Sequence, residues 1–384
     1  MNVLYISHED DKYGAARSLQ SLFTNMSNYK ITPFVLTMKE NGYNKTAREY
    51  NIKSFVVKYY RSTTSKSTKE VKRMVKYLRY KAGNYFACKK ILSIIDANKI
   101  DIVHINSSVI DVGIYLKKHR NIKIIWHIRE FMDLDFNQVY YNKNQIADMN
   151  RYADAFIFIS KAIKEHWINK GLSDKGKVIY NGLDIKKYES IKEWDTTKNK
   201  INIVFTGSIT PNKGQYQLID ALGLLPPDVI DNIKVSFLGS GSQEYIAQLS
   251  TLVKDMHLQN IVKFEGFVTN VAQRLKEYDI GIVASLAEGF GRVTVEYMLS
   301  GVLVIASDTG ANLEILHDKE TGLIFKYGDA KDLSEKLTWI IDHKEEISRI
   351  AKNARDFASS NFTEEKYVSS VADLYRNMIN GKKV

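Results

Sequence analysis

Short runs of apolar, mostly β-branched residues alternate with longer amphipathic stretches along most of this chain. Several of these runs are almost wholly apolar, which suits strands that crossover helices bury on both faces. The alternation therefore predicts an α/β protein with parallel, doubly wound sheets. Because twelve strands exceed a usual open sheet, we expect two sheets of about six strands each. The predicted strands are residues 3–7, 33–38, 53–58, 101–106, 123–127, 155–160, 202–208, 234–239, 261–267, 280–285, 303–307 and 322–325.

A polar, charged segment at residues 185–200 separates the sixth predicted strand from the seventh and has no strand pattern. We therefore expect an N-terminal domain over residues 1–185 and a C-terminal domain over residues 195–363. A helix predicted from about residue 364 to 384 has no strand after it, so its packing partner stays open, and the first domain is one choice. Ligands of open α/β sheets bind at the carboxyl ends of strands, so the loops there are the first candidates for a site.

Composition excludes several classes of protein. Apolar residues make up 44% of the 384 residues and charged residues 26%, which excludes a disordered chain. No apolar run approaches the ~20 residues that a membrane-spanning helix needs. The start of the chain has no charged region before its apolar residues, so it does not resemble a signal peptide. The single cysteine, Cys88, excludes an internal disulfide framework. These features predict a soluble, cytoplasmic protein.

Charge is distributed unevenly between the two halves. Residues 1–200 hold 36 Lys and Arg against 20 Asp and Glu, whereas the remainder holds 19 against 24. Residues 51–90 alone hold 12 basic residues and one acid, Glu70. The basic half is therefore expected to face phosphates or an anionic surface.

The most informative stretch runs from Ser285 to Glu296, after an apolar strand and into a helix. Gly289 and Gly291 let the backbone pass close to a ligand. The helix start offers unpaired N–H groups that suit a diphosphate. Glu296, one turn into the helix, could accept hydrogen bonds from a vicinal diol such as a ribose, and Glu288 could reach a second polar group. A plain tight turn with two solvated glutamates is the alternative.

Glu288 and Glu296, with seven residues between them and a Gly-Phe-Gly turn inside, resemble the Glu-x7-Glu signature of retaining glycosyltransferases. The closest match is glycosyltransferase family 4, which has the GT-B fold, meaning two Rossmann-like domains facing across a cleft. The run from residue 297 to 307 and the segments 310–315 and 321–323 resemble further landmarks of this family. Val302-Leu303 departs from the family's usual proline-containing form. The resemblance covers essentially all of residues 175–380.

An upstream loop, residues 205–214, resembles the family's Gly-Arg-Leu…Lys-Gly loop. By that resemblance Gly207 begins the loop and Lys213 pairs with the donor diphosphate, a role that suits a lysine point charge. Ser208 stands where the family usually has an arginine, and Arg292 and Arg17 are candidates to replace that charge. The resemblance also assigns donor contacts to Gly239, Gly289, Phe290 and Gly291.

The first half of the chain has fewer residues that indicate a family. Residues 13–19 resemble the family's glycine-rich first loop, which places Gly14 near the diphosphate, although Ala15 replaces the usual second glycine. His127, at the end of a predicted strand, resembles the histidine that the family directs at the transferred sugar. A buried structural histidine is the alternative at position 127, and the structural interpretation is preferred for His104.

A basic segment near residue 70 has a helical pattern. Apolar residues from Val71 to Phe86 recur at i, i+3, i+4 and i+7, which indicates one apolar stripe. The structural interpretation is a helix whose stripe packs on the first sheet and whose basic face lies in water. The functional interpretation is a polybasic face on an anionic bilayer, as the resemblance implies for lipid-linked acceptors. The basic residues are Lys69, Lys72, Arg73, Lys76 and Arg79.

The resemblance implies a retaining transferase that moves a hexosyl or N-acetylhexosaminyl unit from a nucleoside-diphosphate sugar, with a UDP-sugar favoured, to a glycan, glycolipid or protein acceptor. Glu288 and His127 would be the catalytic residues. No metal or other cofactor is expected, because no metal-ligand spacing is present. A nucleotide-sugar 2-epimerase on the same fold is the alternative enzyme. A nucleic-acid-binding protein is a further alternative, but no recognised module surrounds the basic tyrosine-rich segment.

Overall fold

The structure is a computed structural model that describes residues 1–8, 14–188, 194, 195, 197 and 200–382. Within these residues the chain forms two compact units. The first unit comprises residues 1–182 and 364–384, and the second comprises residues 183–363. The division thus falls between Gly182 and Leu183, ahead of the polar segment 185–200. Much of that segment, and Tyr13 at the start of the expected first loop, lie outside the described residues.

The first unit contains a parallel sheet of seven strands in the order β3-β2-β1-β5-β6-β8-β9. A second sheet, of two strands, pairs β4 with β7 in antiparallel register. The nine strands are β1 (Asn2–Ser7), β2 (Thr32–Thr37), β3 (Lys53–Val56), β4 (Thr63–Ser65), β5 (Ile102–Ile105), β6 (Lys123–Ile128), β7 (Gln138–Tyr140), β8 (Ala155–Phe158) and β9 (Gly176–Val178).

Helices connect these strands, and the first strands are almost wholly buried because helices cover the sheet. The helices are α1 (Gly14–Asn25), α2 (Gly42–Glu49), α3 (Glu70–Ala97), α4 (Val112–His119), α5 (Asp133–Phe136), α6 (Gln145–Tyr152) and α7 (Lys161–Asn169).

The second unit is built around a parallel sheet of six strands in the order β12-β11-β10-β13-β14-β15. Its strands are β10 (Ile201–Thr206), β11 (Ile233–Leu238), β12 (Val262–Gly266), β13 (Ile280–Val283), β14 (Leu303–Ser307) and β15 (Leu323–Phe325). Its helices are α8 (Gln215–Leu222), α9 (Pro227–Ile230), α10 (Gln243–Asp255), α11 (Val271–Leu275), α12 (Arg292–Leu299), α13 (Asn312–Ile315), α14 (Ala330–Asp342) and α15 (Lys344–Asn361). The predicted α/β class with two doubly wound sheets is confirmed.

The last helix, α16 (Glu364–Ile379), returns to the first unit. Its buried residues Tyr367, Val371 and Tyr375 join the core formed by β1, α1 and β5. This packing identifies the partner that the sequence left open for the C-terminal helix. Among the described residues, no helix has the length and apolar character that crossing a bilayer requires.

The position of α3 corrects a prediction. The apolar stripe expected to pack on the first sheet is exposed, and the buried face of α3 is a different one that includes Tyr80, Cys88 and Ile91. The reason is that the C-terminal half of the helix carries the residues that reach the core, and those residues point away from the stripe. The structural interpretation of this helix was therefore wrong about which face is buried.

Candidate active site

The carboxylate of Glu288 lies in the loop 284–291, between β13 and α12, and is held by three donors. Lys213 Nζ lies 2.8 Å from Glu288 Oε2, and Ser285 Oγ donates to the same oxygen at 2.9 Å. The backbone N–H of Gly291 also donates to this carboxylate. The Glu288 side chain is 16% exposed and that of Lys213 is 34% exposed, so the ion pair lies at a partly buried edge.

These three donors keep the carboxyl group of Glu288 ionised. Burial on its own would raise the pKa of the carboxyl, but the charge of Lys213 and the hydrogen bonds hold this pKa below its ordinary value. Glu288 is therefore an anion at neutral pH. The arrangement provides a fixed negative charge beside a cation that has further N–H donors to offer.

Lys213 reaches Glu288 because two loops lie in direct contact. Gly214 has a left-handed backbone (φ +75°), and a Cβ at this position would lie only 2.1 Å from the carbonyl oxygen of Ala284. The N–H of Leu286 donates to the carbonyl of Asn212 at 2.9 Å, which joins the same two loops. A glycine at position 214 is thus required both by its backbone conformation and by the close approach.

Gly214→Ala is expected to destabilise the second unit by several kcal/mol, because the strained backbone costs roughly 1–3 kcal/mol and the clash with Ala284 adds to it. Gly328→Ala is the matched control, since Gly328 has a similar φ of +81° with open space where its Cβ would lie. Chemical denaturation should show a larger loss of unfolding free energy for Gly214→Ala than for Gly328→Ala. Equal losses would show that the contact between the loops contributes nothing.

The sheet topology explains why these loops meet. β10 and β13 are neighbours although they lie far apart in sequence, and the strand order reverses between them. The loop after β10 carries Lys213, and the loop after β13 carries Glu288. Both therefore lie at the carboxyl ends of strands at the topological switch point, where open α/β sheets bind ligands.

Glu296 lies on α12 and is nearly buried, with 6% of its side chain exposed. Its Oε1 accepts a hydrogen bond from Arg292 Nε at 3.2 Å, one turn earlier on the same helix. The Arg292 cation, one of the two candidates to replace the arginine that the family usually has at position 208, is thus ion-paired with Glu296. Ser208 is exposed, and its backbone carbonyl accepts from Gln215 Nε2.

The other predicted donor-binding residues have varied positions. Gly207 and Gly239 lie side by side, since a Cβ on Gly239 would meet the Gly207 carbonyl oxygen at 1.7 Å. Gly289 is half-buried in the loop after β13. Phe290 is buried, and its ring packs edge-on against Phe362 with 5.6 Å between centroids. Gly14 begins α1 in the first unit.

A second polar cluster lies inside the first unit, around His127 at the end of β6. His127 Nδ1 lies 3.1 Å from His104 Nε2 and 3.2 Å from Arg129 Nη2. His104 Nδ1 lies 2.7 Å from the hydroxyl of Tyr375 on α16. Both histidines are fully buried, and burial, followed by the charge of Arg129, holds their pKa values well below the ordinary value. Both are therefore neutral at pH 7.

The hydrogen bonds fix the tautomer of His127. Arg129 can only donate, so His127 Nδ1 must accept and the proton of His127 lies on Nε2. His104 Nε2–H then donates to the same Nδ1, and His104 Nδ1, left without a proton, faces the Tyr375 hydroxyl. His127 Nε2 has no protein partner among the described residues although it is buried. The cluster therefore presents one N–H donor that no described group of this unit satisfies.

Sequence reasoning missed most of this cluster. Arg129 also contacts Asn106 Oδ1 at 2.5 Å, Asn181 Oδ1 at 2.8 Å and the Tyr367 hydroxyl at 2.9 Å. A usable signal was that polar residues follow directly after the apolar strands β5 and β6. His104, for which the structural interpretation was preferred, lies beside His127 on the neighbouring strand.

The basic residues of α3 and its start are largely exposed. Lys69, Lys72, Lys76 and Arg79 are exposed, and Arg73 is half-buried and donates to the Tyr140 carbonyl at 3.3 Å. None of them belongs to the two clusters described above. In the part of the chain that the structure describes, no three His, Cys, Asp or Glu side chains form a group that could hold a metal ion. The expectation that no metal takes part stays a prediction.

Comparison with known families covers nearly the whole chain. The profile described as glycosyltransferase family 4 matches residues 14–187, and the profile described as glycosyl transferases group 1 matches residues 186–357. The chain belongs to the group 1 glycosyltransferases of family 4. The resemblance inferred from the Glu288 loop is thereby confirmed, and the two profiles meet at residues 186–187, a few residues after the division between the two units.

Individual relatives are distant. The putative glycosyltransferase EpsD of Bacillus subtilis is 29% identical over 173 residues, which is 45% of this chain and 44% of that protein. The uncharacterized glycosyltransferase MJ1178 of Methanocaldococcus jannaschii is 29% identical over 296 residues, 74% of this chain and 78% of that protein. The alignment with EpsD thus spans less than half of its length.

Solved structures show the fold of this family 4 chain. The crystal structure of Anabaena Alr3699/HepE in complex with UDP has a TM-score of 0.81 at 21% identity, covering 98% of this chain and all of that one. The complex of the same protein with UDP-glucose has a TM-score of 0.80 at 22% identity. The predicted GT-B fold, with two Rossmann-like parts, is confirmed by these similarities.

Proposed function

We propose that this chain is a glycosyltransferase that moves a hexosyl or N-acetylhexosaminyl unit from a nucleoside-diphosphate sugar to an acceptor hydroxyl with retention of configuration. Its membership of family 4 supports glycosyl transfer. The observation that carries the finer proposal is the Lys213–Glu288 ion pair beside the start of α12, at the switch point of the second sheet.

The donor would bind to the second unit. Lys213 and the N–H groups at the start of α12 would neutralise the diphosphate, since a helix start carries unpaired donors and a partial positive charge. Glu296 would accept from the ribose hydroxyls, and Glu288 would accept from a hydroxyl of the sugar. UDP is the favoured nucleotide, because the structural relative from Anabaena is known in complexes with UDP and UDP-glucose.

The chemistry needs no protein nucleophile. The bond between the sugar C1 and the β-phosphate oxygen breaks, and the acceptor oxygen bonds to C1 on the same face. The acceptor proton passes to the departing phosphate oxygen. Lys213 stabilises the negative charge that develops on the diphosphate, and stabilisation of this electrostatic kind usually contributes most to the rate enhancement. In the first unit, His127 Nε2–H would donate to an oxygen of the transferred sugar.

The acceptor is a hydroxyl of a glycan, a glycolipid or a protein, in bacterial glycan, polysaccharide or glycolipid assembly. One relative of a different name is an N-acetyl-alpha-D-glucosaminyl L-malate synthase of Bacillus anthracis, which is 24% identical over 213 residues. That alignment covers 55% of the relative, so its acceptor is not carried over to this chain.

The test uses water as the acceptor. UDP-glucose and UDP-N-acetylglucosamine are each incubated with the protein in EDTA, and proton NMR follows the sugar that is released. The proposal expects UDP and a first-formed α-anomer. A first-formed β-anomer would contradict retention, and an epimerised nucleotide sugar without free sugar would identify an epimerase. Absence of turnover with both donors, alone and with added glycan acceptors, would contradict the proposal as a whole.

A further inference from the structure

The helix α3 exposes large apolar side chains along its first five turns. At about 100° per residue, these side chains fall within a stripe roughly 120° wide on one side of the helix. Their exposed fractions are 81% for Val71, 59% for Met74, 62% for Val75, 61% for Leu78, 47% for Tyr85 and 64% for Phe86. We call these six residues the α3 stripe. Six large apolar side chains on one exposed face are more than the scattered single residues of an ordinary surface.

The α3 stripe points away from the protein's own core. The buried residues of the helix include Tyr80, Ala87 and Ile91, and these lie on the side of the axis opposite to Val71 and Leu78. The helix therefore has two apolar faces. One of them packs on the first unit, and the described residues leave the other uncovered.

Basic side chains flank the α3 stripe. Lys72, Arg79 and Lys90 lie about 80–100° around the axis from its centre on one side, and Lys81 lies a similar angle away on the other. All four are exposed. Between residues 69 and 90 the chain has seven Lys and Arg besides Lys69 itself, and a single acid, Glu70. Long basic side chains beside an apolar face can keep their charges at the phosphate level while their stems cover apolar surface.

We propose that the α3 stripe docks on the surface of an anionic phospholipid bilayer. The apolar residues enter the boundary between headgroups and acyl chains, and the flanking cations pair with lipid phosphates. The basic side chains beside the α3 stripe favour an anionic bilayer over a second copy of the chain as its partner. A second copy of the chain bound through the same patch would bring Lys72, Arg79 and Lys90 against their own equivalents, where like charges repel. The proposal stands on the first unit alone and does not depend on the proposed function.

The apolar half of the proposal is tested by Leu78→Glu in the full chain. Sedimentation with vesicles of phosphatidylcholine and phosphatidylglycerol should show at least a tenfold drop in the partition coefficient, because a carboxylate replaces an inserted leucine and is repelled by the lipid charge. Leu224→Glu is the matched control, since Leu224 is 57% exposed but lies in the second unit. Its partition coefficient should stay within twofold of the wild type, and both variants should keep the wild-type melting temperature.

The electrostatic half is tested by changing Lys72, Arg79 and Lys90 together to Gln. Each neutralised charge should weaken binding about fivefold, or roughly a hundredfold for the three, and added salt should weaken the wild type in the same way. A second triple variant, with Gln at the exposed positions Lys234, Lys254 and Lys331 of the second unit, has the same net charge and should bind as the wild type does.

Three outcomes would overturn the proposal. The first is equal vesicle binding by Leu78→Glu and the wild type. The second is binding to pure phosphatidylcholine as strong as binding to the anionic vesicles. The third is a wild-type dimer that Leu78→Glu converts to a monomer in analytical ultracentrifugation, since this would identify a second copy of the chain as the occupant of the α3 stripe.

Discussion

Glu288→Gln is expected to lower the rate of glycosyl transfer at least a hundredfold while nucleotide affinity changes by no more than a few-fold. The amide keeps the size of the carboxylate and can still accept from Ser285 and Gly291. It loses the fixed charge that the donors hold in place and the charge-assisted hydrogen bond to a sugar hydroxyl. Removing one such preorganised interaction from a site typically costs about a hundredfold to a thousandfold in rate.

The matched control for Glu288 is Asp154→Asn. Asp154 is 19% exposed and pairs with Lys117 at 2.7 Å in the first unit, so it resembles Glu288 in burial and ion pairing. The transfer rate of Asp154→Asn should remain near that of the wild type under conditions where both are folded. A Glu288→Gln protein that transfers sugar at the wild-type rate would show that Glu288 plays no part in the reaction.

His127→Ala is expected to reduce kcat about a hundredfold and to leave nucleotide affinity unchanged. The nucleotide is proposed to bind in the second unit, whereas His127 belongs to the first. The change removes the Nε2–H donor, which is held in one tautomer by Arg129 and His104 and has no partner among the described protein groups. A fall in kcat of about a hundredfold is the usual effect of removing one positioned hydrogen-bond donor from the transition state.

His127→Gln provides the test of this assignment. Its amide N–H reaches about as far as Nε2, so part of kcat should return, whereas His127→Asn places its amide nearer to Nδ1 and should not recover. His119→Ala, on the exposed end of α4, is the control and should have wild-type kcat. Equal kcat for His127→Gln, His127→Ala and His127→Asn would assign His127 a structural role in the buried cluster, and wild-type kcat in all three would remove it from the mechanism.

The sequence predicted the large parallel sheets because their strands are nearly continuous apolar runs. The strands that it missed, β4, β7 and β9, have only three residues each and carry no alternation. The β4–β7 pair forms through residues 63–65 and 138–140, which lie far apart in sequence and have no turn between them that would signal a hairpin. Such pairing depends on tertiary contacts that single-chain patterns do not contain.

In the candidate site, too, some contacts could be predicted from the sequence and others depend on tertiary structure. Lys213 and Glu288 could be associated by motif spacing, and the structure brings them together because β10 and β13 are neighbours. The cluster around His127 could not be assembled from sequence, because it joins residues of β5, β6 and the returning helix α16. On α3, periodicity correctly identified one apolar face, but periodicity carries no information on which face the rest of the unit covers.

The Lys213–Glu288 pair is tested most directly by nucleotide binding. Thermal unfolding of the wild type and of Lys213→Gln is followed with UDP, GDP, ADP and CMP, each with and without EDTA. A nucleotide at ~100 times its Kd stabilises the folded protein by about 2.7 kcal/mol, which is a clear shift in Tm. Lys117→Gln, which breaks the similarly buried pair with Asp154, is the control. We expect one nucleotide, UDP, to raise the Tm of the wild type and of Lys117→Gln regardless of EDTA, and to raise that of Lys213→Gln much less. No shift with any nucleotide, or an equal shift in Lys213→Gln, would contradict a diphosphate site at Lys213.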